Sequence, residues 1–487
     1  MNFNKKLAVA VSGAVLLMAG QFALADSTSD IVDALVSQGV LTEEEGKLIS
    51  KGHETKKKAE GNIGFKNGFK INSGDGKSNF SVNGRIQADY RYFDTPETPS
   101  NAAPTGAANA DAFDVRRAYL GVKGTFRNWI NFEATLDGAG TSAYLKYYWL
   151  ETAFSEKLKV RIGQFKPGFG LEQLTSSRFI DMTERDWAAS IAPGVNKGIM
   201  LHGTPASGFT YALGYNNGSA GTYIADSAQK IVGEASNNGD GKQLTARVTA
   251  NIAEIMGNKE AIMHIGGSYA TDNDAPTSAA GALVFRTNAR GTNFFGTLVR
   301  TANAAMFNTP DITRYGLEGI GAWGPVKLQA EYAQMDISEG SSATPNHVDA
   351  NINASYVNLS YMLTGEKYAD AYKNGVMDRM SPKNDFTGLD SSGKGAWELG
   401  LRYSRFNAHN FISGTDYTTN SSTPAVDSYT AGIKWIVDPN TRFMLNYVYS
   451  DFNKWIAGTD ATSGAIVAGT PLMHNEKAIN FRSQFDF

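Results

Sequence analysis

Basic side chains recur at alternate positions in several short segments of this chain. Arg85 and Arg91 share one parity, as do Arg117, Tyr119 and Lys123, and again Lys159 and Arg161. A longer stretch from Lys166 to Lys197 adds Arg178 and Arg185 to its two end lysines. Cations gathered along a narrow water path lower the cost of stripping water from an anion, which is the chemistry of an anion pore. Arginine supplies a planar fork that suits phosphate, and lysine a point charge. The same long stretch also holds Glu172, Asp181, Glu184 and Asp186, so four cations meet four acids. For each residue the plainer reading is a place in a neutralising ion-pair network; Arg117, Lys166 and Arg178 are the strongest candidates for more. Catalysis has no matching signature. The six histidines, His53, His202, His264, His347, His409 and His474, are scattered, and no Ser or Asp nucleophile is set beside one of them. No enzyme activity, cofactor or metal is expected, and a formal charge of −3 offers no footprint for nucleic acid.

The elements that must position these residues read as strands. In 80–93, Val82, Ile86, Ala88, Tyr90 and Tyr92 oppose Ser81, Asn83, Arg85, Gln87, Asp89 and Arg91. The same split sets Ile130, Phe132, Ala134 and Leu136 against Asn131, Glu133, Thr135 and Asp137, and Leu158, Val160 and Ile162 against Lys157, Lys159 and Arg161. A period of two with one apolar face is the pattern of a half-buried strand. Further segments fall at 113–126, 143–154, 196–204, 208–216, 242–253, 260–271, 312–323, 326–337, 352–364, 395–408, 427–437, 441–453 and 475–487, giving sixteen. The stretch 281–301 has room for two more. Connections alternate between long and short, with tight turns at Arg127-Asn128, Ser155-Glu156, Gly324-Pro325 and Asp438-Pro439-Asn440. Link 365–394 is the exception, being long where a short one is due. All fourteen prolines lie outside these strands, as ladder hydrogen bonding requires.

An even number of strands with short turns at one end and long loops at the other is the plan of a transmembrane antiparallel β-barrel of the bacterial outer membrane. Closure is its physical reason, because in hydrocarbon every unpaired backbone group costs several kcal/mol. Aromatic residues near strand ends, Phe126, Trp129 and Trp323, suit an interfacial girdle, and the chain ends on an alternating strand closed by Phe487. The competing architecture is a secreted soluble β-rich binding protein, in which alternation also occurs. Steady Arg, Lys, Asp and Glu on one face of so many strands favours a wet lumen, and a barrel of this size encloses an aqueous channel.

The first residues read as an export signal: Lys5 and Lys6, an apolar run from Leu7 to about Gly20, then Ala23-Leu24-Ala25 before Asp26. That run falls short of the roughly 20 residues a membrane anchor needs. Residues 1–25 are therefore expected to be a cleaved signal peptide. Removing the two lysines leaves 43 basic against 48 acidic residues, a net of −5. Residues 26–60 carry a helical pattern, Ile31, Val32, Leu35 and Val36 followed by a capping box at Thr42 and Glu45. This short N-terminal helical periplasmic segment is either a stalk or a solvated leader, and residues 61–487 form the barrel. With no cysteine, disulfides and thiolate metal sites are excluded. The mean hydropathy of −0.30 excludes a helical membrane bundle.

Several stretches then resemble the phosphate-selective porin O/P family. They are Asp114-Val115-Arg116-Arg117-Ala118-Tyr119-Leu120-Gly121-Val122, Arg161-Ile162-Gly163-Gln164-Phe165-Lys166-Pro167, Leu171 to Phe179, Leu363-Thr364-Gly365-Glu366, and Ala396 to Tyr403. In order and spacing they cover the chain from about residue 80 to its end. The resemblance implies a homotrimer of sixteen-stranded channels in outer-membrane lipid, each narrowed by an inward-folded third extracellular loop. It implies small anions, with phosphate among them, as the permeant. The pore-lining or anion-binding residues then expected are Arg85, Arg117, Tyr119, Lys123, Lys159, Arg161, Lys166, Arg178 and Arg185. The sequence departs from the family pattern at Gly170, four positions after Lys166, and in the acids of the same loop. A general, non-selective porin is therefore the alternative.

Overall fold

The computed structural model describes residues 42–49, 62–65, 69–94, 109–140, 142–217, 242–273, 284–296, 311–339, 348–390, 392–412, 423–457 and 472–487, with positions 32 and 36 besides. Sixteen strands form the barrel. They are β1 (Asn79–Phe93), β2 (Ala112–Phe126), β3 (Ile130–Asp137), β4 (Tyr144–Ser155), β5 (Leu158–Phe165), β6 (Asn196–Gly203), β7 (Phe209–Asn217) and β8 (Lys242–Asn251). The second half is β9 (Ala261–Asn273), β10 (Asp311–Trp323), β11 (Val326–Glu339), β12 (Val348–Met362), β13 (Ala396–Asn407), β14 (Ala425–Ile436), β15 (Thr441–Ala457) and β16 (Leu472–Asp486). Each segment expected from the alternation is among them. Neighbours in sequence pair antiparallel, and the last strand closes on the first, Arg482 facing Asp89 and Asp486 facing Arg85. No edge is left for hydrocarbon to meet.

Local chemistry makes the closure. Backbone hydrogen bonds run both ways between Gly84 and the terminal Phe487, and the Phe487 ring lies so close that a Cβ on Gly84 would sit 2.5 Å from it. At the β2–β3 turn Arg127 and Asn128 both take positive φ, 50° and 66°, the mirror-image turn that matches strand twist. Outward positions are apolar and exposed, among them Ile86, Leu120, Leu150, Ile162, Val248, Leu317 and Leu401. Aromatic rings gather in two outer belts: Trp397, Trp435, Phe443 and Phe481 toward the short turns, and Tyr403, Tyr429 and Tyr449 toward the loops. Amphipathic rings favour such interfaces.

Among the described residues, three connections fold inside the barrel. The third long loop, 166–195, carries two short helices, α1 (Leu171–Leu174) and α2 (Trp187–Ile191). The stretch 281–301, which had room for two barrel strands, holds instead a small separate hairpin of Val284–Arg286 and Asn293–Gly296, so the barrel stays at sixteen. Its rings Phe285, Phe294 and Phe295 are buried with Trp187 of the third loop and Phe406 and Phe452 of the wall. The long link between β12 and β13 forms a two-residue hairpin, Tyr372–Lys373 with Val376–Met377, and buries Tyr368 and Met377 against Leu171 and the inward faces of β9, β10 and β12. That link is long because it fills space rather than turning a corner.

Residues Met1–Gly64 with Lys70–Asn79 form a compact unit of their own. Within it the expected capping box is present: Thr42 N–H donates to Glu45 Oε2 at 2.9 Å, and Glu45 N–H donates to Thr42 Oγ1 at 3.3 Å. Residues 1–25, and so the signal peptide, lie outside the described residues.

Candidate functional site in the barrel lumen

The third loop is anchored by its polar backbone before any side chain acts. Its turn at Ser176–Phe179 is held by a 2.8 Å bond from Phe179 N–H to Ser176 O. Gln87 Nε2 donates to Ser177 O at 2.9 Å and Gln484 Nε2 to Arg178 O at 3.3 Å, from adjacent strands. Helix α1 is too short to satisfy its own N-terminus. Glu331 of β11 supplies the acceptors, taking the N–H of Glu172 at 3.0 Å and that of Leu171 as well. Tyr356 Oη donates to the same carboxylate at 2.8 Å. At α2, Asp186 caps the helix by accepting from Ala188 N–H at 3.0 Å.

The loop's acids turn toward cations of the wall. Arg402 Nη2 donates to Glu172 Oε1 at 2.5 Å, and Lys327 Nζ to Asp181 Oδ1 at 2.5 Å. Arg116 and Arg482 both donate to Glu184 Oε1, at 2.8 Å and 2.7 Å. Burial alone would raise the carboxyl groups of Asp181 and Glu184. Arg116, with Arg482 and Arg290 behind it, holds Glu184 well below the ordinary range, and Lys327 with Lys434 lowers Asp181. Asp186 goes the other way: burial pushes it up to about 6 against the pull of Arg402. The balance of four cations and four acids within the loop is thus not an internal cancellation, since Glu172, Asp181 and Glu184 are neutralised by the wall.

The nine sequence-predicted residues separate into three groups. Arg85, Arg117 and Tyr119 meet on β1 and β2: Arg85 Nη1 donates to Ser177 Oγ at 2.8 Å and its guanidinium stands 4.3 Å over the Tyr119 ring, while Arg117 Nη1 donates to Gln87 Oε1 at 2.8 Å. On the loop, Arg185 staples the backbone to itself through the carbonyls of Glu172 and Thr175, and Lys166 Nζ donates to Gln173 O at 2.5 Å. Arg178 lies 4.0 Å from Asp486. Lys123, Lys159 and Arg161 line the turn-side half of the near wall. Arg161 grips Glu151 at 2.6 Å and stacks 3.9 Å over Trp149, and Lys159 pairs with Glu156.

Exposure shows which sector of the lumen stays wet. Inward side chains of the far wall, Arg314, Asn358, Ser404 and Arg482, are wholly covered by the three inward segments. Across the lumen Lys123 is exposed, and Glu133, Trp149, Arg161 and His202 keep partial exposure. The remaining space therefore borders β2 to β6. Strict alternation missed Arg116. The pleat breaks there, so Arg116 and Arg117 are both buried and both bond inward groups. A second break falls at Lys146 and Tyr147, where the β3–β4 register shifts. The far-wall cations Arg247, Arg314, Lys327, Arg402, Lys434, Arg442 and Arg482 stand at inward parity and were legible in principle.

A closed sixteen-stranded barrel with its charge inside and its apolar side chains outside is the frame of an outer-membrane channel. The family model for phosphate-selective porins O and P matches residues 80–470. The chain belongs to that family. This porin is similar to Porin O of Pseudomonas aeruginosa, 26% identical over 411 residues that span 80% of this chain and 87% of that protein. Among solved structures it is similar to the trimer form of OmpT from Vibrio cholerae, with 11% identity, a TM-score of 0.47, and coverage of 84% of this chain and 99% of that one. The outer membrane channel DcaP of Acinetobacter baumannii matches with 11% identity and a TM-score of 0.46, over 84% and 97% of the two chains. OprB of Pseudomonas putida matches with 10% identity and a TM-score of 0.47, over 85% and 95%. The porin is a protein of the bacterial outer membrane.

Proposed function

We propose that this porin passes small anions, phosphate among them, by passive diffusion, and that its third loop narrows the water path. One observation carries the reading: three acids of that loop are engaged by wall cations, Glu184 by Arg116, Asp181 by Lys327 and Glu172 by Arg402, and the loop's Arg178 lies close enough to Lys123 across the wetter sector for the two charges to repel. Basic groups on both sides of a narrow path compensate an anion for lost water. Of the predicted residues, Arg85, Arg117, Tyr119, Lys123, Lys159, Arg161, Lys166, Arg178 and Arg185 are assigned to this path. A homotrimer in outer-membrane lipid, made after removal of residues 1–25, completes the proposal.

A general porin is the second reading, favoured by Glu133 and Glu151 in the same sector. Reversal potentials across planar bilayers in a salt gradient, with and without phosphate, separate the two. Anion preference is expected, and its replacement by cation preference in Lys166→Glu and Arg178→Glu. Equal permeability to both ions in the unaltered protein would leave the general channel standing.

A further inference from the structure

The link between β12 and β13 has two halves, and the lumen accounts for the first alone. That half carries Tyr368 and Met377 into the barrel, where they are buried with Leu171 and the wall. The second half, from Lys383 to Lys394, leans on the outer surface instead. Phe386 marks the change: its N–H donates to Val437 O at 2.8 Å, and its ring meets Trp435 edge-on at 5.2 Å. Trp435 stands at outward parity on β14 and stacks on Trp397 of β13 at 5.3 Å, within the turn-side belt. Both indoles reach one atom. Trp435 Nε1 donates to Lys394 O at 2.9 Å and Trp397 Nε1 to the same oxygen at 3.2 Å, so the end of the link is fastened to the belt from outside the wall.

A single exposed leucine on a wet surface would need no explanation. Leu389 differs by its place. It is 95% exposed, at the tip of a segment held at both ends, through Phe386 and Lys394, to tryptophans that face lipid. Tryptophans of such belts sit at headgroup level, with the ring toward the acyl chains and the polar edge toward water. A segment bonded to them stands at that level too, as a continuation of the membrane-facing surface. Its charges fit a zwitterionic lipid. Lys383 and Lys394 balance Asp385 and Asp390, so the segment carries no net charge to be repelled or neutralised there. Lys383 Nζ donates to Gly365 O at 2.7 Å, which ties this half back to the start of the link.

We propose that residues 383–394 are an interfacial anchor, in which Leu389 enters the periplasmic leaflet of the outer membrane beside Phe386 and Trp435 while the polar groups of the segment lie among zwitterionic phospholipid headgroups. The contact is apolar at its centre. Because the same link packs Tyr368 and Met377 against Leu171 of the third loop, the lipid braces a lumen-filling segment from outside the wall.

The protein has no cysteine, so one label can be placed at a chosen position. The exposed Ser392 is replaced, Ser392→Cys, and labelled with an environment-sensitive fluorophore, which leaves Leu389 in place. The full-length protein is reconstituted in vesicles of phosphatidylethanolamine and phosphatidylcholine, with or without a phosphatidylcholine that carries a nitroxide near the top of its acyl chain. Migration of unheated protein in detergent gels checks that each variant is folded. A blue-shifted emission that the nitroxide lipid largely removes is expected, and its loss is expected to persist in high salt, because apolar contact rather than charge holds the segment. Adding Leu389→Asp is expected to abolish most of the quenching. The same label at Lys373→Cys, exposed on the inward hairpin of the same link, is expected to show neither shift nor quenching. Emission as in water at Ser392→Cys, or quenching that Leu389→Asp leaves unchanged, overturns the anchor. A blue shift without quenching by the nitroxide lipid overturns it as well, since protein, a second copy included, then covers the tip.

Discussion

Arg116 grips Glu184 with two parallel hydrogen bonds, Nε to Oε1 at 2.8 Å and Nη2 to Oε2 at 3.0 Å, and so ties strand β2 to the third loop. Arg482 holds the same carboxylate from β16, next to Asp89. Glu184→Ala leaves buried cations short of a partner and is expected to cost about 3–5 kcal/mol. Calorimetric unfolding reads that loss, and single-channel recording is expected to show a larger, noisier conductance as the loop detaches. Arg116→Ala is expected to do less, because Arg482 still binds Glu184.

The loop's other anchor is apolar. The Trp187 ring meets Phe294 edge-on at 5.3 Å and Phe406 at 6.1 Å, joining the third loop, the 284–296 hairpin and β13 in one buried cluster. Trp187→Ala is expected to lower stability by about 3–5 kcal/mol, as large-to-small changes in a packed core do. Trp187→Phe is expected to retain most of it, and the two are to be compared by Tm.

Asp186 predicts a pH dependence of definite sign. Its carboxyl rises from the ordinary value of 3.8 to about 6 in the folded protein, chiefly through burial. Between those values the native state holds a proton that the unfolded chain has released, so this group's contribution to stability falls as pH rises from about 4 to about 6. Asp186→Asn keeps an acceptor for Ala188 and is expected to flatten that part of the stability profile. An unchanged slope in the variant would assign the dependence to another group.

Gly163 allows no side chain. Its φ is +134°, and a Cβ there would stand 2.3 Å from Tyr148 O and 2.6 Å from Trp149 Cα. Gly163→Ala combines backbone strain of about 1–3 kcal/mol with a clash against the neighbouring strand. The yield of folded barrel, read from migration of unheated protein in detergent gels, is expected to fall sharply.

The strands were legible because a barrel writes its geometry into every second residue. Ile86, Ala88 and Tyr92 facing outward, and Arg85, Gln87 and Asp89 facing inward, follow from hydrocarbon on one side and water on the other. Where the pleat breaks the code breaks too, which is why counting every second residue from Arg117 does not reach Arg116. The link 365–394 stood out only as a length anomaly, since nothing local to it says that Tyr368 and Met377 will pack against Leu171 of another loop.

Charge was the least legible property. Counting the third loop's acids against its cations gave a balance, yet Glu172 belongs to Arg402 and Asp181 to Lys327, residues more than a hundred positions away. By itself the sequence determined the barrel, the sixteen segments that form its strands and, where the pleat is regular, which face of each is wet, because alternation is a local record of two solvents; that 281–301 adds no strand to them was decided by the fold. Only the tertiary structure decided which cations are spent on acids and which sector of the lumen stays open, because ion pairing depends on distances of a few ångströms between segments that the chain keeps far apart.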